Sequence, residues 1–593
     1  MRFARLSAVL VFALCAALPA AAAPAQHNVL IFVADGLRYV SVTPKTAPTM
    51  WKLKTQGVDF TNSHSLYPTI TTVNASAIAT GHYIGDTGNF GNTLYTGYPV
   101  AGTNGAPITF QEDDVLLGDL AAHYNGNYLN ETSLIAAARQ AGYATAVMGK
   151  VGPTAIQDIT QRDGTGTIVI DDALNTPKGI AVSPGIEDAI KVAGIAPTAP
   201  KTNVPNNEQQ QYMIAIATKV VLPKLASSGK PFAMLYWSRD PDASQHSQKD
   251  SLGKLSPGIN GPTGQAGIKD ADDTLAALLA ALKAQGLDKT TDVFITADHG
   301  FSTIDRHSQT SAAAKITYGR VPPGETPPGV VAIDLAEALA MPMYDPFNKN
   351  AVVDYKSGNL PSFGNAILGA DPANPDVVVV SNVGSDHIYL PGANAKDLAP
   401  RIVDALSKED YISGIFANDA LGNIPGALSL SAVNLKGSAL TPEPSIVVSF
   451  ASHVIPGCKP TLMCAAEMAD TTLETGQGMH GTFSRADTRN FMAASGPDFR
   501  AHFADPAPVS NADINPTLAH ILGLDIPAKG SLKGRVASEA LKGGKKVTVT
   551  KGWQASTPAA NGQKTVLEYQ RVGGTRYFDA AGFPGRTVGL SPH

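Results

Sequence analysis

Charge is scarce in this chain of 593 residues. Asp, Glu, Lys and Arg together make up 16%, and the formal net charge is −5. No basic excess is available to neutralise a nucleic-acid backbone, so a duplex is excluded as a partner. Cysteine is scarcer still, at 3 residues. Beyond the first residues no apolar run reaches the length of a membrane span. Internal repeats, coiled-coil heptads and long low-complexity segments are absent as well. What is present is ordinary globular material. Hydrophobic residues make up 44%, enough for a sizeable core, and with so low a net charge they argue against disorder. The 56 glycines and 42 prolines imply many loops on a well-packed scaffold. The length fits two to four average domains, or one large domain with insertions.

Residues 1–23 read as a secretory signal. Arg2 and Arg5 form its positive start, Leu6 to Leu18 its apolar stretch, and Ala21-Ala22-Ala23 a small-residue cleavage site. The apolar stretch is short for a membrane anchor. Cys15 lies inside it with no small residue before it, which argues against a lipoprotein anchor. Loss of the two arginines takes the net charge from −5 to −7. The expected product is an exported bacterial protein, periplasmic or secreted, with no membrane span once the signal is cleaved. It keeps Cys458 and Cys464, six positions apart around Lys459-Pro460-Thr461. In an oxidising compartment this spacing predicts a small-loop disulfide, with two free thiols as the alternative. Only His453 stands near, so a cysteine-based metal site is not expected.

Apolar strand-like runs alternate with amphipathic stretches. Thr132–Ala141 (helix) leads into Ala144–Met148, Gln209–Leu225 into Phe232–Trp237, and Ile268–Gln285 into Asp292–Thr296. That alternation predicts an α/β fold built on a mostly parallel sheet flanked by helices. Ser445–Phe450 and Phe491–Ala494 read as further core strands, and Asn511–Leu522 as a helix. Residues 306–440 carry strands of their own (Val377–Val380, Ile388–Leu390) and a helix near Ala395–Leu406. They read as an inserted α+β cap lobe of the kind that walls a pocket. The expected division is a core of 27–305 and 440–535, the lobe at 306–440, and a β-rich tail at 545–593 with a hairpin turn at Gly573-Gly574.

Seven residues scattered over this framework could build one metal centre: Asp35, Thr71, Asp242, His246, Asp298, His299 and His480. Asp35 closes the run Val29-Leu-Ile-Phe-Val-Ala. Asp298 and His299 close Val293-Phe-Ile-Thr-Ala. Asp242 and His246 follow Phe232–Trp237, and His480 lies in Gly478-Met-His-Gly481. Ligands collect at the carboxyl ends of strands in open α/β sheets. Carboxylates mixed with imidazoles suit zinc or a similar divalent ion, and this number of ligands serves two neighbouring ions with positions left for substrate. Taken singly, each motif could be chance. A second Asp-His pair, Asp386-His387, has no partner motifs and reads as structural or as a pocket contact.

Together and in this order, these residues resemble the alkaline phosphatase superfamily, and within it the type I phosphodiesterase/nucleotide pyrophosphatase branch and related threonine phosphatases. The resemblance covers roughly 27–305 and 440–530. It implies an alkaline-phosphatase-like sheet sandwiched by helices, and two divalent metal ions, most simply zinc. Asp35, Thr71, Asp298 and His299 would hold the metal that activates the nucleophile, and Asp242, His246 and His480 the other. Aligning Pro68, Asn74 and Thr80-Gly81 makes Thr71 the metal-bound nucleophile at a helix start, where backbone N–H groups favour phosphate. The branch usually has Phe after the nucleophile, and here that residue is Thr72, so Thr69 and Thr72 remain competitors. Asn92, 21 residues on, matches the asparagine that donates to a phosphoryl oxygen. Asn89 and a plain turn asparagine are the alternatives. Lys150 matches the Lys of a Lys-x-Arg pair in threonine phosphatases, but Gly152 stands in place of the Arg, and a lone solvated lysine is the other reading.

The resemblance implies an exported hydrolase of phosphodiesters or nucleotide pyrophosphates, acting on a small-molecule phosphate ester or nucleotide through a phospho-threonine intermediate. Phosphomonoester hydrolysis is the second reading. Phosphonate or sulfate esters stand behind it, since the sulfatase signature Cys/Ser-x-Pro-x-Arg is absent. A catalytically dead binding protein of the same fold would be expected to have lost ligands, and all seven are present.

Overall fold

The computed structural model describes residues 27–592; the signal segment read at residues 1–23 lies outside them. Asn28–Ala34 is buried along its whole length. Its six apolar residues, Val29–Ala34, can be stable with no polar face only if both faces are covered, and this strand lies in the middle of its sheet. That sheet has eight strands, in the order Phe503–Asp505, Val58–Phe60, Met492–Ser495, Thr291–Thr296, Asn28–Ala34, Phe232–Ser238, Ala144–Gly149 and Thr167–Asp171. All neighbours run parallel except Met492–Ser495, which is antiparallel to both strands beside it.

Alternation along the central strand divides the interior in two. Val29, Ile31 and Val33 enter a core shared with the helices Thr71–Thr80, Leu134–Gln140 and Ile514–Leu522. Leu30, Phe32 and Ala34 enter the opposite core, with Pro48–Gln56, Asn207–Ile216 and Pro262–Ala284. This is the helix–sheet–helix sandwich expected from the alternating pattern. No helix among the described residues is long and apolar enough to cross a membrane.

A second eight-stranded sheet is built largely from the stretch read as the inserted lobe. Its central pairings are antiparallel, with Val377–Val380 beside Ser385–Tyr389 and the helices Val330–Leu339 and Ala395–Ser407 over its apolar face. One strand is not where the sequence pattern placed it. Ile446–Phe450 pairs with Ser385–Tyr389 and Ile412–Ala417 in this second sheet, whereas Met492–Ser495 does join the first. A short apolar run marks a buried strand without naming its partner, so the two looked alike in sequence. The C-terminal segment forms an antiparallel sheet of Val549–Ala555, Val566–Val572 and Thr575–Gly582, with Gly573-Gly574 at the second turn.

Cys458 and Cys464 are bridged, with Cα atoms 5.6 Å apart. The bridge closes the connection between the paired strands Ser452–Val454 and Ala465–Glu467. The Met463 carbonyl, one residue before Cys464, accepts from Asn260 Nδ2 at 2.7 Å. So short a loop restricts the unfolded chain little, and Cys464→Ser is expected to lower unfolding free energy by about 2 kcal/mol. Denaturant titration measures that cost. Peptide mass spectrometry of unreduced protein should show no free thiol at either position.

Candidate active site

The sheet delivers the acidic residues. Asp35 follows the last residue of Asn28–Ala34, and Asp298 lies two residues beyond Thr291–Thr296 in the parallel neighbour. Parallel pairing therefore sets both carboxylates at one edge. Gly36, at φ +67°, turns the chain under the Phe301 ring, where an added Cβ would come within 2.7 Å. Its N–H donates to Asp298 Oδ1 at 3.0 Å. Asp242 opens the short helix Asp242–Ser247. Its N–H donates to the Asp35 carbonyl at 3.0 Å, and one turn on His246 faces the same way, with Nε2 3.0 Å from Asp242 Oδ1.

His480 arrives from far along the chain. Gly478–Met479 pairs antiparallel with Ser302–Ile304, the strand just after Asp298-His299. The His299 and His480 rings stack with centroids 3.5 Å apart. Thr71 starts the buried helix Thr71–Thr80, whose preceding residue, Ile70, offers no side-chain cap. Asn74, one turn in, accepts from Leu66 N at 2.8 Å and from Asn511 Nδ2 at 3.0 Å. Asn511 also donates to the Asp298 carbonyl at 2.8 Å, so one amide network ties the threonine loop to the carboxylate loop.

All seven sequence-predicted ligands come together. Candidate ligand atoms of Asp35, Asp298 and His299 lie within 4.8 Å of one another, and so do those of Asp242, His299 and His480. His299 thus stands between the two groups that the resemblance separates. Thr71 Oγ1 lies 3.3 Å from His299 Nε2.

Protonation shows what the cluster is built to hold. Each imidazole has Nδ1 2.8 Å from a backbone carbonyl: His246 on Gly478, His299 on Gly300 and His480 on Thr69. A carbonyl only accepts, so each Nδ1 must donate, and each Nε2 turns to the site. There Nε2 of His299 meets Asp298 Oδ2 at 3.2 Å, and Nε2 of His480 lies 3.7 Å from Asp242 Oδ1. Lone pair facing lone pair is stable only with a cation or a proton between them. Asp35 Oδ1, Asp242 Oδ1 and Asp298 Oδ2 are all buried without a hydrogen-bond partner, an arrangement that costs energy unless a metal takes up those atoms. The donor set therefore fits divalent metal ions. In the metal-free protein the charges compensate by other means. Burial pushes His299 down, but Asp298, Asp35 and Asp242 outweigh it and bring it up to about 9. Burial, together with Asp242 and Asp298, raises the Asp35 carboxyl well above its usual range. Burial also acts to raise Asp242, yet His246 and Lys150 hold it well below.

The three threonines separate cleanly. Thr69 Oγ1 donates to the Thr482 carbonyl at 2.8 Å, and Thr72 Oγ1 donates to Asn92 Oδ1 at 2.9 Å. Thr71 is the one whose hydroxyl faces the ligands. Asn92 Oδ1 also accepts from Thr72 N at 3.0 Å. Asn89 is spent on the helix, donating to the Thr72 carbonyl at 2.5 Å. Lys150 is not a solvated lysine. It is 3% exposed, and its Nζ lies 2.9 Å from Asp35 Oδ2, 3.3 Å from Asp242 Oδ2 and 3.4 Å from Thr71 Oγ1. Burial pushes its ammonium down, but Asp242, Asp35 and Glu112 hold it well above its usual range.

Several contributors were not read from the sequence. Trp237 Nε1 donates to Asp35 Oδ2 at 2.8 Å. Glu112 Oε1 lies 3.2 Å from Lys150 Nζ and accepts from Asn92 Nδ2 at 3.2 Å. No motif marks either residue, although Trp237 ends the apolar run before Asp242 and could have been suspected from that. Asp386-His387 proves to be bracing. Asp386 Oδ1 accepts from Asn382 N at 3.0 Å, and Asn382 Oδ1 from Thr93 N at 2.9 Å, beside Asn92. His387 is buried, and burial pushes it down to about 3.

A buried hydroxyl at a helix start, among carboxylates and imidazoles that could hold divalent cations, is the chemistry of phosphoric ester hydrolases in the alkaline phosphatase superfamily. Residues 29–339 match the family model of type I phosphodiesterase / nucleotide pyrophosphatase, and the chain belongs to that family. The matched stretch includes eight of the nine expected site residues and ends before His480. Comparison with curated proteins returns no match.

Proposed function

We propose that this hydrolase is an exported phosphodiesterase or nucleotide pyrophosphatase that works with two divalent ions, zinc in the first instance, and with Thr71 as nucleophile. The observation that carries the reading is the position of Thr71 Oγ1, 3.3 Å from His299 Nε2 and 3.4 Å from Lys150 Nζ at the start of a ten-residue helix. Asp35, Asp298 and His299 would hold one ion with Thr71, and Asp242, His246 and His480 the other. When bound, the ions supply Lewis acidity, lowering the hydroxyl's pKa and neutralising charge on the phosphoryl oxygens.

The chain's own groups do the rest. Thr71 gives its proton to solvent, and its oxygen bonds to phosphorus as the bond to the leaving oxygen breaks; the leaving alcohol or nucleotide takes a proton from water. A water molecule then attacks the phospho-threonine and restores the hydroxyl. Asn92 would donate to a phosphoryl oxygen through its amide; Thr72 N, in the first turn of the helix, is held by Asn92 Oδ1 at 3.0 Å, so the helix start would favour the anion through its dipole. Lys150 places its ammonium beside the nucleophile, 3.4 Å from Thr71 Oγ1. The second sheet packs close to the His480 loop. A Cβ on Gly384 would come within 2.6 Å of the His480 carbonyl, and Ser385 Oγ donates to the Gly481 carbonyl at 2.6 Å. We assign this lobe the wall of the pocket.

The test is a side-by-side rate measurement on 4-nitrophenyl phosphate and bis(4-nitrophenyl) phosphate with zinc added. The diester is expected to be the better substrate by kcat/KM. A large advantage for the monoester would make the enzyme a phosphomonoesterase instead.

A further inference from the structure

We propose that Glu112 sets the charge of the phosphoryl pocket, so that the site accepts phosphorus centres bearing one negative charge and disfavours dianionic monoesters. This rests on the phosphodiesterase reading above and gives it a residue.

Both groups placed next to the phosphoryl oxygens, apart from the metal ligands, converge on one atom. Glu112 Oε1 lies 3.2 Å from Lys150 Nζ and 3.2 Å from Asn92 Nδ2. The ammonium that would otherwise serve a second phosphate charge already faces this carboxylate. Lys150 Nζ also faces Asp35 and Asp242, but bound metal would take up those two carboxylates, so Glu112 is the one that offsets the ammonium toward the substrate. The Glu112 side chain is 15% exposed, so its charge is screened only in part.

The carboxylate is locked in place by its neighbour. Gln111 N donates to the Asn92 carbonyl at 2.8 Å, Gln111 Nε2 to the Gly91 carbonyl at 2.7 Å, and Tyr128 Oη to Gln111 Oε1 at 2.7 Å. The same segment closes off position 152. Gly152 has φ +89°, and a Cβ there would lie 2.6 Å from the Gln111 carbonyl oxygen and 2.7 Å from Glu112 Cα. No cationic side chain fits at 152 while the Gln111-Glu112 backbone occupies that space. Arg239, whose guanidinium feels the charge of both Glu112 and Asp242, is engaged elsewhere: its Nη2 donates to Asp172 Oδ1 at 2.9 Å and its Nε to Asp172 Oδ2. Where an extra cation would favour monoesters, this pocket has a glutamate.

A phosphomonoester gains its second charge near pH 6, whereas a diester carries one charge throughout. Glu112→Gln removes the negative charge and keeps an oxygen acceptor for Asn92; Glu112→Ala removes both. In zinc-loaded enzyme at alkaline pH, the ratio of monoester to diester kcat/KM is expected to rise at least about tenfold in Glu112→Gln. Inorganic phosphate should become a correspondingly tighter inhibitor, while dimethyl phosphate should not. In the wild-type enzyme itself, inhibition by inorganic phosphate should weaken, relative to dimethyl phosphate, as rising pH completes its second ionisation.

An unchanged substrate ratio in Glu112→Gln, with Glu112→Ala lowering kcat on both substrates, would overturn the inference and leave Glu112 as a positioning residue for Asn92. That result is distinct from failure of the underlying reading, which would show as a large monoester preference in the wild type. Phosphate inhibition in the wild type that strengthens with pH relative to dimethyl phosphate would overturn the inference without any variant.

Discussion

Thr71→Ala is expected to lower kcat by roughly 10⁴- to 10⁶-fold, since removal of a covalent nucleophile eliminates the chemical route itself. The fold should survive. Thr71 is not the residue capping its helix, and the amide network through Asn74 and Asn511 does not involve its hydroxyl. Circular dichroism and the unfolding midpoint should therefore stay close to wild type. Two neighbouring variants act as controls. Thr69→Ala loses a bond to the Thr482 carbonyl and should cost little activity. Thr72→Ala releases Asn92 Oδ1 from one of its two donors and should cost more, though far less than Thr71→Ala. Acid quenching during turnover should trap phosphate on a peptide containing Thr71, and that label should vanish in Thr71→Ala. If Thr72→Ala is the inactive variant, or the label maps to Thr72, the nucleophile has been assigned one residue too early.

Removing metal should abolish activity as completely. Protein purified without chelators is expected to contain about two equivalents of divalent metal by elemental analysis. Dialysis against a chelator should remove both the metal and the activity, and zinc should restore them. Stability should fall in parallel, because an ion that binds only the folded state adds about 2.7 kcal/mol at a free concentration of 100 Kd. Removal would leave Asp35 Oδ1, Asp242 Oδ1 and Asp298 Oδ2 buried without partners, so the loss should appear as a lower unfolding midpoint. Asp298→Asn should reproduce the chelator's effect by lowering metal content. A metal-free protein of full activity would end the two-ion reading.

Much of the centre was legible because strand ends are legible. Asp35, Asp298 and the Asp242–His246 pair follow apolar runs, and a parallel sheet brings the carboxyl ends of its strands to one edge whatever its loops do. The amphipathic stretches between those runs located the helices for the same local reason: side chains of period 3.6 must bury one face. The small-loop disulfide, too, depended only on spacing. What remained hidden depends on contacts between distant segments. Ile446–Phe450 and Met492–Ser495 are equally apolar, yet one joins the second sheet and the other the first, because pairing is decided by the strands on either side.

The sequence by itself determined the residue types, their order and the strand ends that carry the candidate ligands, since these follow from hydrophobic periodicity and side-chain chemistry. Tertiary structure decided the rest. The register of Gly478–Met479 on Ser302–Ile304 brings His480 onto His299, and three backbone carbonyls choose which imidazole nitrogen faces the site. The close approach of Gln111-Glu112 to Gly152 places a carboxylate between Lys150 and Asn92. Except for His299 on the neighbouring Gly300 carbonyl, these contacts join residues from 20 to more than 400 positions apart, and only the packed chain sets their distance.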